Sequence, residues 1–214
     1  GKTRKELGFT EEVSIPHVAV KEAGFPFVRF PGVDILLGPE MRSTGEVMGI
    51  DADFGTAYAK AEIAAGNELP LQGTVLVTVK DSDKRDVLFI AKKLEDLGFK
   101  ILSTGETCRV LRNHGINAER VNKIKEGRPH ILDRVKNREI DLIINTPSGK
   151  DPKADEAKIR AEAVLRGIPC VTTIPGAQAA VNGIEAVKRH SYRVQALQDY
   201  YLAMRAAPRN RTEE

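Results

Sequence analysis

The chain has 214 residues with 33 Lys and Arg against 30 Asp and Glu and 41% apolar residues, enough to bury a core and near the size of one large domain or two unequal ones. Its net charge of +3 is spread rather than clustered, which argues against a nucleic-acid surface, and no apolar run is long enough to span a bilayer. Cys108 and Cys170 share no metal-ligand spacing with each other or with the four histidines, so no metal site is expected and a reduced, cytoplasmic setting is. The opening GKTRKELGF lacks the apolar core of a signal peptide and has no initial Met, from which a fragment of a longer protein or the remnant of a tag is expected.

Residues 1 to about 40 are rich in Gly, Pro and aromatics and lack a helical period, so short strands are expected at Ser14 to Val20 and Phe25 to Phe30. From Ser43 to Ala65 the spacing of Thr44, Val47, Phe54, Tyr58, Ala61 and Ile63 predicts one helix, stopped by Gly66. Asn67 to Gly73, with Pro70, reads as a linker. Thereafter one unit recurs: a β-branched strand, a polar turn, an amphipathic helix. Thr74 to Val79 leads into a helix capped by Ser82, with Val87, Ile90, Ala91, Leu94 and Leu97 on one face and Gly98 at its end. The unit returns as Lys100 to Ser103 with Thr107 to Asn113, and as Arg120 to Ile124 with Ile131 to Lys136. It returns twice more, as Asp141 to Asn145 with Asp155 to Arg166 and as Pro169 to Ile174 with Gln178 to Arg189. Five strands alternating with helices predict an α/β fold, a doubly wound five-stranded parallel sheet with flanking helices, preceded by a partial α+β segment. Residues after His190 add a short helix and a polar tail.

Such sheets bind ligands beyond the carboxyl ends of their strands, so the polar residues just after each strand are the candidates. Lys84 enters at the first turn of a helix, where free backbone N–H groups already favour an anion; the plainer alternative is a solvated surface lysine. Thr104 and Thr107 flank Gly105 in the STGET turn, where two hydroxyls can converge on phosphate oxygens or simply cap the helix. Lys123 follows the third strand, and Asn145 closes the fourth, able to meet a sugar or base edge or to serve ordinary turn chemistry. Four adjacent strand ends offering phosphate-compatible donors point to a site. His130 has no Ser, Cys or paired acid placed to make a triad and reads as a loop-to-helix contact, and Cys170 reads as a small buried hydrophobe.

Residues 74 to about 188 resemble the methylglyoxal-synthase-like domain, and GPEMRSTGEVMG (Gly38 to Gly49), VNKIKEGRPHILDRVKN (Val121 to Asn137) and INTPSG (Ile144 to Gly149) resemble the bacterial carbamoyl phosphate synthetase large subunit. The resemblance implies that residues 1–70 close the second, ATP-grasp half of the synthetase, that 71–190 form its allosteric domain, and that 191–214 are a terminal helix and tail. It further implies a full enzyme that works with a glutaminase small subunit to make carbamoyl phosphate from bicarbonate, glutamine and two ATP, with Mg or Mn, as an oligomer. This segment would itself be non-catalytic, with no cofactor of its own. The family's nucleotide site, for UMP or IMP, falls on Thr78, Lys84, Thr104, Thr107, Lys123 and Asn145; an ornithine site would include Glu22 and Thr172. Pro147 stands where the enteric type has a threonine, Lys150 where an arginine lies, and Glu106 where glycine is common, which brings a carboxylate near the expected anion.

Three rival readings are weaker on their motifs. A methylglyoxal synthase lyase needs an aspartate base in a Gly-Gly-Asp turn, where this chain has Ser-Gly-Lys-Asp-Pro, leaving Asp151 or Asp155 as substitutes. The IMP cyclohydrolase domain needs a Lys-Thr-Leu-His-Pro continuation that is absent after Val135. A stripe of Tyr192, Tyr200, Tyr201 and Leu202 offers an oligomerisation module or, more simply, packing within the chain.

Overall fold

A computed structural model describes residues 1–8, 10, 15–27, 34–36, 43–147 and 154–206. Two strands, β1 (Val18–Gly24) and β2 (Gly45–Asp51), pair antiparallel and precede the helix α1 (Phe54–Ala65). Then come β3 (Thr74–Thr78), α2 (Val87–Asp96), β4 (Lys100–Thr104), α3 (Gly105–Asn113), β5 (Ala118–Val121), α4 (Ile131–Lys136) and β6 (Leu142–Asn145). The elements α5 (Ala154–Leu165), β7 (Cys170–Val171), α6 (Ile174–Arg189) and α7 (Leu197–Ala206) complete the order. Strands β3 to β7 form the expected five-stranded parallel sheet, in the order β5-β4-β3-β6-β7.

The sheet is covered on both faces because its inner strands carry continuous apolar runs, Val75 to Val77 in β3, Ile101 and Leu102 in β4 and Leu142 to Ile144 in β6, whereas the edge strand β5 exposes Glu119 and Arg120. Val75, Val77, Ile101, Leu142 and Ile144 face a cluster completed by α2, α3 and α6, while Leu76, Leu102, Val121 and Ile143 face one completed by α4 and α5. Period two therefore sorts one strand between two cores. Burying a leucine such as Leu76, 0% exposed, is worth roughly 2–3 kcal/mol. The strand order puts β3 at the middle, with the chain leaving it toward β4 and returning to its other side as β6. That reversal opens a crevice at the carboxyl ends of β3 and β6.

The predicted helix over Ser43 to Ala65 is half strand. GEVMGID pairs along its length with VAVKEAG, with Gly49 buried, while Glu46 and Met48 are exposed. Asp53 is the true start signal of α1: its side chain accepts from the Thr56 N–H at 2.9 Å. Gly49 lies so close to α1 that a Cβ would sit 2.0 Å from the Ala57 carbonyl oxygen and 2.5 Å from the Ala61 nitrogen. Backbone cannot yield as a side chain does, so Gly49→Ala is expected to cost about 1–3 kcal/mol. Thermal unfolding checks this, and a variant as stable as the parent would mean that α1 and β2 slide apart freely.

Other departures are local. Phe25 to Phe27 are not a strand, and the rest of that expected element, like Ser14 of the preceding one, lies outside the described residues. Ser82 caps no helix: it sits in a short 3-10 turn, Asp81–Asp83, and donates to Asp83 Oδ1, while α2 begins at Val87. Helix α6 starts at Ile174 rather than Gln178, because Thr173 accepts from the Gly176 N–H and Pro175 occupies the first turn, where its missing donor costs nothing. The linker Asn67 to Gly73 is free of regular structure as expected. Across it α1 rests on α6, where an added Cβ on Gly55 would meet the Asn182 carbonyl oxygen at 2.7 Å. Helix α7 is held on β2 by Tyr200, whose hydroxyl donates to the Ile50 carbonyl and whose ring lies 5.3 Å from that of His17. Tyr192 and Leu202 are exposed.

Candidate functional site

All six strand-end residues, Thr78, Lys84, Thr104, Thr107, Lys123 and Asn145, line one cavity of about 620 Å³. That size suits a small molecule, for which sites run from about 300 to 1,000 Å³. Thr78 and Asn145 are paired residues at the tips of neighbouring strands β3 and β6, and Thr104 ends β4. Thr107 comes from the first turn of α3, Lys84 from the turn after β3, and Lys123 from the turn after β5. The sheet thus supplies the floor and the loops supply the ammonium groups.

The threonines are not engaged in the plain alternative of helix capping. Thr104 occupies the N-cap position of α3 without a capping bond, and its hydroxyl meets that of Thr78 at 3.1 Å. The Thr107 hydroxyl donates to the Val79 carbonyl at 3.4 Å. Thr104 and Thr107 are each 3% exposed, so these hydroxyls sit where water is scarce. The N-terminus of α3 adds its partial positive charge to the same wall.

The charges around the rim are balanced: Lys80, Lys84, Lys123 and Lys125 stand against Asp81, Glu106, Asp155 and Glu156. Lys84 pairs with Asp81 at 2.7 Å, and that carboxylate is 96% exposed. A solvated ion pair is worth at most about 1 kcal/mol, whereas a hydrogen bond to a charged group contributes about 1.5–3. An entering dianion can therefore displace Asp81 from the ammonium. Glu106, on the rim, forks onto Arg109. That bond, chiefly, holds its carboxyl below the usual range, with smaller help from Arg109's charge and from Lys84. Glu106 thus stands on the rim with its carboxylate paired to Arg109. Pro147 lines the other cavity, and Lys150 and Asp151 lie outside the described residues.

Asp155, the remaining candidate base, opens α5 and stands 3.9 Å from both Lys125 and Lys158. It behaves as a charge at a helix start rather than as a desolvated base aimed at carbon. His130 sits at the joint between a loop and α4, its backbone N–H donating to Asp133 Oδ2. Burial pushes the Cys170 thiol up to about 12, which leaves it inert as a nucleophile. Among the described residues no group of three His, Cys, Asp or Glu is placed to hold a metal.

Sequence reasoning missed Thr146, Lys80 and Arg160. Thr146 accepts from the Lys80 N–H at 3.0 Å and ties the tips of β3 and β6 together; its position directly after Asn145 was the available signal. Arg160 is 0% exposed, and nothing in the pattern of α5 marks it apart from its neighbours Lys158 and Arg166.

Glu22 and Thr172 line a second cavity of about 570 Å³, between β1, α1 and the end of β7. Glu62 and Tyr58 share its wall. Burial raises the Glu62 carboxyl above its ordinary value, against hydrogen bonds to Tyr58 and Asn67 and with the charge of Glu22 adding to the rise. Among the described lining residues Glu22 and Glu62 are the charged ones, beside the polar Tyr58, Asn67, Thr172 and Thr173.

A family model described as the MGS-like domain matches residues 86–172, from the turn before α2 to just past β7. This part of the chain is similar to the MGS-like domain. Thr78 and Lys84 lie just ahead of the matched stretch and the other four cavity residues inside it. Over 200 residues, 94% of its length, the chain is 52% identical to a carbamoyl phosphate synthase large chain of Nostoc sp. and covers 18% of that protein. It is 53% identical over 202 residues to the large chain of Archaeoglobus fulgidus, covering 94% of this chain and 19% of that one. The chain therefore spans about a fifth of the length of the curated relatives it matches. Among solved structures, a methylglyoxal synthase from Elizabethkingia anophelis NUHP1 aligns at 18% identity and a TM-score of 0.43, over 53% of this chain and 79% of that one, too distant to bear on the reaction.

Proposed function

We propose that the MGS-like domain of this chain is a regulatory module that binds a nucleoside monophosphate in the cavity beyond β3, β4 and β6. The observation that carries the reading is the convergence of Thr78, Lys84, Thr104, Thr107, Lys123 and Asn145 on one cavity. In this reading the phosphate lies between Lys84, Lys123 and the hydroxyls of Thr104 and Thr107. The ribose or base lies toward Thr78 and Asn145. The neutral balance of the rim favours a small anion that exchanges with Asp81 over a long polyanion, which would meet as many carboxylates as lysines.

The similarity to carbamoyl phosphate synthase large chains supports placing the module in a glutamine-dependent, cytoplasmic ligase. Residues 1–70 would then close its second ATP-grasp half, the catalytic work with ATP and Mg or Mn would lie upstream, and a glutaminase subunit would supply ammonia. UMP and IMP are the effectors to try. The second cavity, with Glu22, Glu62 and Thr172, suits a cationic amino acid such as ornithine, whose ammonium would lower the raised Glu62 pKa.

Calorimetric titration of the chain with UMP, IMP and inorganic phosphate, at low and moderate salt, tests the reading. Saturable nucleotide binding stronger than that of phosphate is expected. Binding of phosphate alone, or of none of the three, would overturn it.

A further inference from the structure

Helix α5 carries a guanidinium with no exposure at all, and it serves two masters. Arg160 Nη1 donates to Asn145 Oδ1 at 2.7 Å, on the floor of the nucleotide cavity, while Nε and Nη2 donate to the two oxygens of Asp34 at 2.6 and 2.5 Å. Asp34 belongs to the described stretch Asp34–Leu36, far upstream of the sheet, and Ile35 and Leu36 line the second cavity. An arginine has donors only, so it fixes which end of the Asn145 amide faces it. The Thr78 carbonyl, an acceptor only, takes the other end, Nδ2, at 3.4 Å. Asn145 can satisfy both neighbours in one orientation and in no other.

We infer that Arg160 is a positioning residue that holds the Asn145 amide for the ligand and ties it to Asp34, so that filling the cavity is felt in the segment 34–36. The inference rests on the nucleotide reading of the cavity for its ligand, though the tie itself does not. Hydrogen bonds in a chain polarise one another, so a ligand acceptor taking an Asn145 N–H makes Oδ1 a better acceptor and tightens its hold on Arg160. The guanidinium has no water to turn to, and its only carboxylate among the described residues is Asp34. A change at one end is therefore paid at the other, and by linkage a displacement of segment 34–36 changes the affinity of the cavity by the same factor. Arg160 also explains why an asparagine rather than an aspartate ends β6 as drawn: a carboxylate there would compete with Asp34 for one cation and would have no N–H for the Thr78 carbonyl.

Two variants, Asp34→Asn and Arg160→Lys, test this by nuclear magnetic resonance on the 214-residue chain, first without ligand and then with UMP. In the ligand-free chain each variant is expected to shift the side-chain amide signals of Asn145, while backbone signals of β5 on the far edge stay in place. On addition of UMP, the parent chain is expected to show movement of the Ile35 and Leu36 amides that is lost in Asp34→Asn, with affinity falling about fivefold or more. Should Asp34→Asn not fold, Arg160→Lys, which keeps the charge but cannot fork to both partners, carries the same reading. Asn145 signals that do not move in a folded variant would overturn the tie, as would Ile35 and Leu36 amides that respond to UMP as well in Asp34→Asn as in the parent. Asn145 signals that move in a chain binding no nucleotide would uphold the tie and overturn the ligand assigned to the cavity.

Discussion

Replacing Asp34 with alanine is expected to remove about 3–5 kcal/mol of folding stability, because it leaves a buried guanidinium without its carboxylate. Arg160 is 0% exposed, so it cannot recover by turning to solvent, and its hydrogen bond to the neutral Asn145 amide does not neutralise it. Urea unfolding of the variant and its parent measures the loss; a difference below about 1 kcal/mol would show that the charge finds water after local relaxation. The same pair makes a statement about acid. Partial burial works to raise the Asp34 pKa, but hydrogen bonds from Arg160 and from the Leu36 N–H, with the charge of Arg160, outweigh it and hold the carboxyl below 3.8. Its contribution is accordingly whole above that ordinary value and is lost as pH falls through the lowered one. In Asp34→Ala that part of the acid-unfolding profile should be absent.

Lys84→Ala should weaken UMP binding by about tenfold to a hundredfold, the equivalent of losing one charge-assisted hydrogen bond of about 1.5–3 kcal/mol. The fold should survive, since among the described residues the ion pair of Lys84 is with the exposed Asp81, and Lys84 sits outside both core clusters. Lys92→Ala is the matched control: Lys92 bonds to Glu95 and Asp96 on the outer surface of α2 and does not line the cavity. Calorimetry of both variants decides the matter. Equal affinities would remove Lys84 from the phosphate position, and a loss shared by Lys92→Ala would mean that general charge rather than a placed ammonium draws the ligand.

The sheet and the cavity's floor were legible because their signals are local. A β-branched run such as Thr74 to Thr78 followed by a helical stripe such as Val87, Ile90, Ala91 and Leu94 announces both elements within one stretch of chain. Strand ends then follow, and with them Thr78, Thr104 and Asn145. Strand β2 was hidden because its partner β1 lies upstream across the aromatic segment, and because Gly49, read alone, does not say that it is small to admit the backbone of α1. Thr173 was passed over as a cap because Pro175 reads equally as the end of a strand and as the first turn of a helix. The link from Arg160 to Asp34 joins residues 126 apart in sequence, and no spacing rule reaches that far.

The place of β3 in the sheet has a consequence for how a ligand comes and goes. With β4 on one side and β6 on the other, its amides are freed for exchange only when the sheet opens as a whole, whereas the turns that carry Lys84 and Lys123 can open by themselves. The floor of the cavity thus has the lifetime of the folded molecule, and the lysine rim is remade many times within it. In the proposed reading the rim sets residence time, so substitutions there should change dissociation rates while leaving the slowest-exchanging amides of β3 where they were.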